Sequence, residues 1–373
     1  MHHRLNKNKL ECGEPARNPA AVKRILIVKP SSLGDIFHVF PAVARLGALF
    51  PRAEFDWLVH PAFAEALDYA PVPVARRIPF RRRELGQLGT FLSEFWELAR
   101  ELRKVRYDYI FDFQGLLRSA ACARLAHGRV IGFARPRERA ARWFYHRLVK
   151  VNLRLHAVRR NQLLVERFFH TGTMPVECVM PRVPRYAASL DAKLARLGVK
   201  PDALLIGVSP GARWESKVFP PELFGQVIRL AAQMVPDACF VLMGAPADQK
   251  LTADIQAQCS GEHVVSLAGE TGLGELVELI RRCGALLAND SGPVHIAAAA
   301  HVPVVCFYGP TNPKLTGPFG DIHTIFQRGD LECIGCLKRQ CALPAAECHR
   351  IDPASAALAL RGKILEEQKL CVD

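Results

Sequence analysis

Apolar positions along the chain fall in short runs, separated by longer stretches in which they recur every three or four residues. The runs at 24–28, 55–59, 107–111 and 129–133 are dense in Ile, Leu, Val and Phe. Such runs are what strands covered on both faces show. The segments 41–50, 84–104 and 116–127 between them carry the helical period. A second series has strand-like runs at 203–208, 239–243, 263–267, 285–288 and 302–307. Helical stretches at 221–234, 247–259, 273–283 and 293–300 alternate with them. Alternation of this kind predicts βαβ units and mostly parallel sheets, so the expected fold class is α/β with two open sheets. The expected divisions are a loose tail at 1–22, a first domain at 23–185, a linker at 186–202 with a short helix around Leu190 to Leu197, a second domain at 203–351 and a closing helix at 352–373.

Charge separates the two series. The 373 residues carry a formal net charge of +14, but residues 1–200 hold 36 Lys and Arg against 17 Asp and Glu, a net +19, and the remainder carries −5. The basic half is expected to face something anionic: nucleic acid, a phosphorylated ligand or a membrane surface. With 50% hydrophobic residues the chain is not disordered. No apolar run approaches the roughly 18 residues of a membrane span. The charged N-terminus lacks the hydrophobic region of a secretory signal, so a cytoplasmic protein is expected. Eight of the 12 cysteines sit singly, mostly in apolar segments, and read as reduced thiols. Cys333, Cys336, Cys341 and Cys348 cluster in a late loop. Their spacing permits a structural metal such as zinc, but it lacks two paired Cys-x-x-Cys units, and packed thiols are the competing reading.

In open α/β sheets ligands bind beyond the carboxyl ends of the strands, so the strand-end loops are the candidates. The first is Lys29-Pro30-Ser31-Ser32-Leu33-Gly34-Asp35. Ser31, Ser32 and Gly34 offer backbone N–H groups near a helix start. Asp35 is either a general base or a helix N-cap. After the 107–111 run come Asp112 and Gln114, at alternate positions and so on one face, followed by Arg118. In the second half Ser209 ends a strand, and Arg213 and Lys217 on the next loop suit a phosphate. Asp248, after the following strand, suits ribose hydroxyls. In Asn289-Asp290-Ser291-Gly292-Pro293-Val294-His295 small residues meet a helix start, where a diphosphate can approach the backbone, with His295 one turn in. Arg76, Arg77, Arg81, Arg82 and Arg83 precede a helix bearing Phe91, Phe95 and Trp96, and read either as a grip for phosphates or a membrane surface, or as a solvated face. No Walker motif occurs, and Gly272-Leu273-Gly274 lacks the third glycine of a dinucleotide fingerprint. Nucleic-acid binding would account for the charge but not for the strand-end carboxylates.

Four motifs occur in order: Ile25 through Asp35, Asp112 through Ala120, Asn289 through Ala297, and Tyr308-Gly309-Pro310-Thr311-Asn312-Pro313. Together they resemble the lipopolysaccharide heptosyltransferases of glycosyltransferase family 9 over roughly residues 23–320. The resemblance implies a GT-B fold, two Rossmann-like domains whose sheets face a central cleft. It implies inverting transfer from an ADP-heptose substrate, with no cofactor and no metal at the reaction centre. By it, Asp35 is the general base. Ser31, Ser32, Gly34, Asp112, Gln114 and Arg118 line the acceptor side. Lys217 is the phosphate-binding lysine, Asp290, Ser291, Gly292 and His295 form the donor loop, and Asp248 is the ribose contact; Ser209 and Arg213, on the strand-end loop of Lys217, are further donor-side candidates. The region 124–161 resembles the branch that adds the first heptose to Kdo-lipid A, and the cysteine loop resembles the branch that adds the second, to heptosyl-Kdo-lipid A. Either acceptor implies a peripheral partner surface, the inner leaflet of the cytoplasmic membrane, and no nucleic acid.

Overall fold

The computed structural model describes residues 19–81, 89, 91–173, 176–343 and 346–370. The chain divides into two compact units, Met1–Pro181 and Arg182–Asp373. The first holds β1 (Arg24–Val28), β2 (Glu54–Val59), β3 (Val74–Pro79), β4 (Arg106–Asp112), β5 (His127–Phe133) and β6 (Arg147–Val149), in the order β3-β2-β1-β4-β5-β6. The second holds β7 (Leu204–Ser209), β8 (Ala238–Leu242), β9 (Val264–Ser266), β10 (Cys283–Asn289), β11 (Val304–Phe307) and β12 (Thr324–Phe326), in the order β9-β8-β7-β10-β11-β12. Pairings run parallel throughout, for example Ile27 with Phe111 and Leu287 with Val208. Both sheets therefore have the doubly wound Rossmann order, with the chain direction of winding reversing between β1 and β4 and between β7 and β10.

Helices cover both faces. The first unit has α1 (Leu33–Phe37), α2 (Phe40–Leu49), α3 (Phe91–Arg103), α4 (Leu117–Leu125) and α5 (Ala157–Phe169). The second has α6 (Pro184–Arg196), α7 (Pro221–Met234), α8 (Gln249–Gln256), α9 (Leu273–Arg282), α10 (Gly292–Ala299), α11 (Pro313–Thr316) and α12 (Pro353–Leu370). On one face of the first sheet Leu26, Leu58, Ile110 and Val130 pack with Leu98 and Leu102 of α3 and Ala120 and Ala123 of α4. On the other face Phe50, Tyr109, Phe111, Phe168 and Phe169 interlock edge to face. In the second unit Val208, Phe240, Leu287 and Phe307 bury against Phe224 and Ile228 of α7 and Leu360 and Ile364 of α12. The closing helix thus packs within the second unit.

Differences from the expected layout have local causes. Strands β3, β6 and β12 lie at sheet edges and carry no long apolar run; β3 alternates half-buried and exposed positions with Arg76 and Arg77 in it. The short helix expected within the 186–202 linker is longer than expected: it is α6, and its buried Leu190 and Leu194 belong to the second unit. Ser189 and Lys193 of α6 hold Glu275 of α9. Within the expected tail, Pro19–Ala21 form a short 3₁₀ turn and Val22 is buried. The arginines before α3 are not a free cationic face. Arg76 pairs with Asp56 at 3.4 Å and Glu101 at 3.0 Å, Arg77 with Asp68, and Arg81 with Glu94 and Glu97 at 3.3 Å. Arg82 and Arg83 lie outside the described residues.

Candidate active site

The sequence-derived candidates gather at the two switch points. In the first unit β1 runs straight into a buried Lys29, and α1 begins with Ser32 at its N-cap. Asp35 is the third helical residue, not the cap. Its Oδ2 accepts from the Ser32 backbone N–H at 3.1 Å and from Ser32 Oγ at 2.9 Å, and Lys29 Nζ lies 3.9 Å away. Burial would raise the carboxyl, but Lys29, His38 and the Ser32 hydrogen bonds outweigh it and hold Asp35 well below the usual carboxylate range. Burial pushes the Lys29 ammonium down, partly opposed by Asp35 and Asp112 and reinforced by Arg137 and Arg160. Arg160, on α5, also feels Asp35, and its buried Nε has no partner among the described residues. Ser31 is half-buried and Gly34 buried in the same loop.

Asp112 was expected to face the acceptor, and the structure gives it another task. It is fully buried and accepts from the N–H groups of Gln114 at 2.8 Å and Gly115 at 3.1 Å, from Ser119 Oγ at 3.0 Å and from Tyr145 Oη at 2.8 Å. These partners fix the Asp112 carboxylate within the fold, where it shapes the turn after β4. Gly115 within that turn has φ +69° and its missing Cβ would lie 3.2 Å from the Arg137 nitrogen, so a side chain there is strained and crowded. The turn presents Gln114, whose buried Oε1 is unpartnered among the described residues, and Arg118, exposed on the first turn of α4.

In the second unit β7 ends at buried Ser209 and β10 at Asn289, and Asn289 Nδ2 donates to the Pro210 carbonyl at 2.6 Å, tying the two loops. Asp290 is buried; its Oδ2 meets Lys217 Nζ at 2.6 Å and accepts from the Thr311 hydroxyl. Lys217 also lies over the Trp214 ring, 4.8 Å from its centroid. Ser291 caps α10, and its buried Oγ and the Oδ1 of Asn289 have no partner among the described residues. Gly292 opens the helix and His295 is half-buried within it. Asp248 precedes α8 and accepts from the Ala245 N–H at 2.8 Å. A Cβ on Gly211 would lie 2.5 Å from the Asp248 carboxylate, and one on Gly244 2.7 Å from its Cβ, so the loops after β7 and β8 close on this acid only because both are glycine. Arg213 is exposed on the loop between Gly211 and Lys217.

The cysteine loop joins this site from outside. Cys333, Cys336 and Cys341 are exposed and Cys348 is half-buried, its thiol pushed up by burial and by Cys341, Cys333 and Cys336. Among the described residues no three His, Cys, Asp or Glu side chains are placed to hold a metal ion. Five of the six described cysteines outside the loop are buried, as reduced core thiols would be. The loop's backbone grips the Lys217 turn: the Ser216 N–H donates to the Arg339 carbonyl at 3.1 Å, and Ser216 Oγ to the Lys338 carbonyl at 2.6 Å. His349 sits 2.9 Å from the Ser216 carbonyl and stacks on Phe219 at 4.1 Å. Lys29, Arg160 and Thr311 are the residues for which the sequence suggested no role. A lysine closing a buried strand was the available signal for Lys29. Arg160 and Thr311 are visible only through the partners that the fold brings to them.

Both sites therefore combine a strand-end turn with fixed charges. A sequence profile of glycosyltransferase family 9 (heptosyltransferase) matches residues 95–347. The lipopolysaccharide heptosyltransferase 1 of Pseudomonas aeruginosa is 31% identical over 333 residues, 87% of this chain and 89% of that protein. A lipooligosaccharide heptosyltransferase 2 of Haemophilus influenzae is 27% identical over 81% of this chain and 88% of its own length. The structure of E. coli heptosyltransferase WaaC with ADP-2-deoxy-2-fluoro heptose superposes with a TM-score of 0.67 and 26% identity, covering 82% of this chain and 93% of that one.

Proposed function

The chain belongs to glycosyltransferase family 9, the heptosyltransferases, and on that premise we propose that it carries heptose from ADP-heptose to the Kdo-lipid A inner core of lipopolysaccharide, with inversion. The observation that carries the reading is the donor cradle. Lys217, the unpartnered Ser291 hydroxyl and the N-terminus of α10 converge where a diphosphate would lie, with Asp248 at the end of the neighbouring strand for ribose hydroxyls. Arg213, Gly292 and His295 complete the donor side, and Ser209 supports it from beneath.

In the mechanism, Asp35 takes the proton of an acceptor hydroxyl as that oxygen bonds to the anomeric carbon. The bond from that carbon to the diphosphate oxygen breaks, and its electron pair leaves with ADP. Charge grows on the departing diphosphate, and Lys217, the backbone N–H groups at Ser291 and Gly292 and the helix terminus stabilise it. Lys29, with His38 and the Ser32 hydrogen bonds, keeps Asp35 ionised against the desolvation that would raise it. Arg160, Gln114 and Arg118, with the Ser31–Ser32 turn, suit the carboxylates and hydroxyls of the Kdo acceptor. Among the described residues no helix is long and apolar enough to cross a membrane, and we place the protein on the cytoplasmic side, in peripheral contact with the inner membrane.

The higher identity to a heptosyltransferase 1 than to a heptosyltransferase 2 favours the first-heptose reaction. Incubation of ADP-heptose with Kdo-lipid A and, separately, with heptosyl-Kdo-lipid A decides it by ADP release. Turnover on Kdo-lipid A is expected. Turnover on the heptosylated acceptor only would assign the second transfer, and none on either would refute the reading.

A further inference from the structure

An acceptor held in a bilayer has to be met by a water-facing surface, and Arg76, Arg77 and Arg81 are already neutralised by carboxylates. One group of cations without a carboxylate partner among the described residues lies along α3 and below it. This helix buries Leu98, Ala99 and Leu102. On its outer side Leu92, Trp96, Arg100 and Arg103 recur at four, four and three positions, which puts them on one stripe. Leu92 is 65% exposed and Trp96 64%. The acids of α3 lie off the stripe and each is in an ion pair, Glu94 and Glu97 with Arg81, Glu101 with Arg76 and Lys104.

At the C-terminal end of α3 the stripe opens into a cavity of 590 Å³ lined by Arg103, Lys104, Arg106, Arg124 and His127. Arg106 and His127 are the first residues of β4 and β5, so the cavity lies at the amino ends of the strands, at the opposite end of the sheet from Asp35. Arg103 Nε donates to the Leu125 carbonyl at 3.2 Å. Arg100, Arg106, Arg124 and His127 have no carboxylate partner among the described residues.

We propose that this flank is a docking surface for an anionic bilayer, with lipid phosphates in the cationic cavity and Trp96 and Leu92 entering the boundary between headgroups and acyl chains. A cluster of cations alone would suit any polyanion. The exposed aliphatic and indole side chains in line with it decide the class, because a nucleic acid offers nothing to Leu92 and a bilayer interface takes both halves. The 13-residue helix is about 20 Å long and starts on the carboxyl-end side of the sheet. Its Leu92 end is therefore the end nearer the turns that hold Asp35 and Gln114, which suits a sugar acceptor rising from the same membrane. That orientation rests on the proposed lipid-linked acceptor; the binding itself does not.

The test is co-sedimentation of the full chain with phosphatidylcholine vesicles, with and without phosphatidylglycerol. Binding is expected only when the anionic lipid is present. Arg106→Glu with Arg124→Glu should weaken it by about tenfold or more, while Arg139→Glu with Arg154→Glu, the same change in net charge elsewhere on the unit, should change it less than about twofold. Trp96→Ser should weaken binding severalfold and remove most of the tryptophan quenching by acyl-brominated lipid. Equal losses from the two double variants would overturn the proposal. So would displacement by glycerophosphoglycerol or inorganic phosphate with no effect of Trp96→Ser, which marks a soluble-anion site, or tighter binding to a DNA duplex than to the anionic vesicles. Transfer to a deacylated, water-soluble acceptor should be unchanged in Arg106→Glu/Arg124→Glu, and a parallel loss there would also overturn it. Vesicle binding by a protein that transfers to neither acceptor would instead count against the proposed reaction alone.

Discussion

The two switch points are built on the same strand order, yet they solve opposite electrostatic problems. At the first, one carboxylate stands among cations: Asp35 faces Lys29 and feels Arg160, and its remaining hydrogen bonds come from Ser32. At the second, the cation Lys217 is held by Asp290, while the buried Ser291 hydroxyl at the start of α10 has no partner among the described residues. The first arrangement stabilises a negative charge that belongs to the protein and can receive a proton. The second leaves room for a negative charge that arrives with a ligand. On the proposed reading, two copies of one topology divide base chemistry from anion binding, and the division lies in a few loop residues rather than in the sheets.

Asp35→Asn should have the largest effect. The amide keeps the size of the side chain and its place at the third position of α1, but it cannot accept a full proton. Turnover should fall by about 10³-fold while ADP affinity, measured by calorimetry, stays within about twofold. Near-normal turnover would remove Asp35 from the chemistry. Lys217→Ala should have the next largest effect, a loss of about 10²-fold in kcat/KM with weaker ADP binding, because the growing charge on the diphosphate loses its cation. If ADP affinity and turnover both survived, the anion-binding role would pass to α10 and Ser291.

A third test sharpens the electrostatic half of the contrast. Lys29→Met removes the cation that opposes burial at Asp35. The sign follows from the balance: with Lys29 gone, desolvation raises the Asp35 carboxyl, so the base becomes protonated at a higher pH than in the native protein. The acid limb of kcat/KM should move upward, so that activity is lost on the acid side and is little changed near pH 8. An unmoved limb would mean that Lys29 does not set the ionisation of Asp35.

How much of this was legible in the sequence follows from what a residue's neighbours in the chain reveal. Central strands β1, β4, β7 and β10 are covered on both faces, so their residues form continuous apolar runs, and the turns that follow them could be picked out as ligand loops. Edge strands β3, β6 and β12 carry no such run and were invisible. Asp35, Asp248 and Asp290 could be placed at strand ends, and capping of α1 by Ser32 involves residues three apart. Asp112 looked like a ligand contact because Tyr145, 33 positions on, is absent from any local pattern. Arg76 looked free for the same reason, since Glu101 lies 25 positions away. Long-range partners decide whether a charge is available, and a chain read along its length does not display them.

The smallest expected effect tests the donor half alone. Gly211 lies after β7 and Asp248 after β8, and a Cβ on Gly211 would come within 2.5 Å of the Asp248 carboxylate. That carboxylate is tethered to the Ala245 N–H, so Gly211→Ala forces it to turn away without touching Lys217, Asp290 or α10. The loss should amount to roughly one hydrogen bond, a rise of about three- to tenfold in the KM for ADP-heptose with kcat nearly unchanged. Asp248→Asn should give a similar KM with a normal Gly211, and the double variant should be little worse than either single one, because both act on the same contact. A fall in kcat instead would show that the β7 turn shapes the reacting end of the donor, and the separation between ribose recognition and diphosphate stabilisation would have to be redrawn.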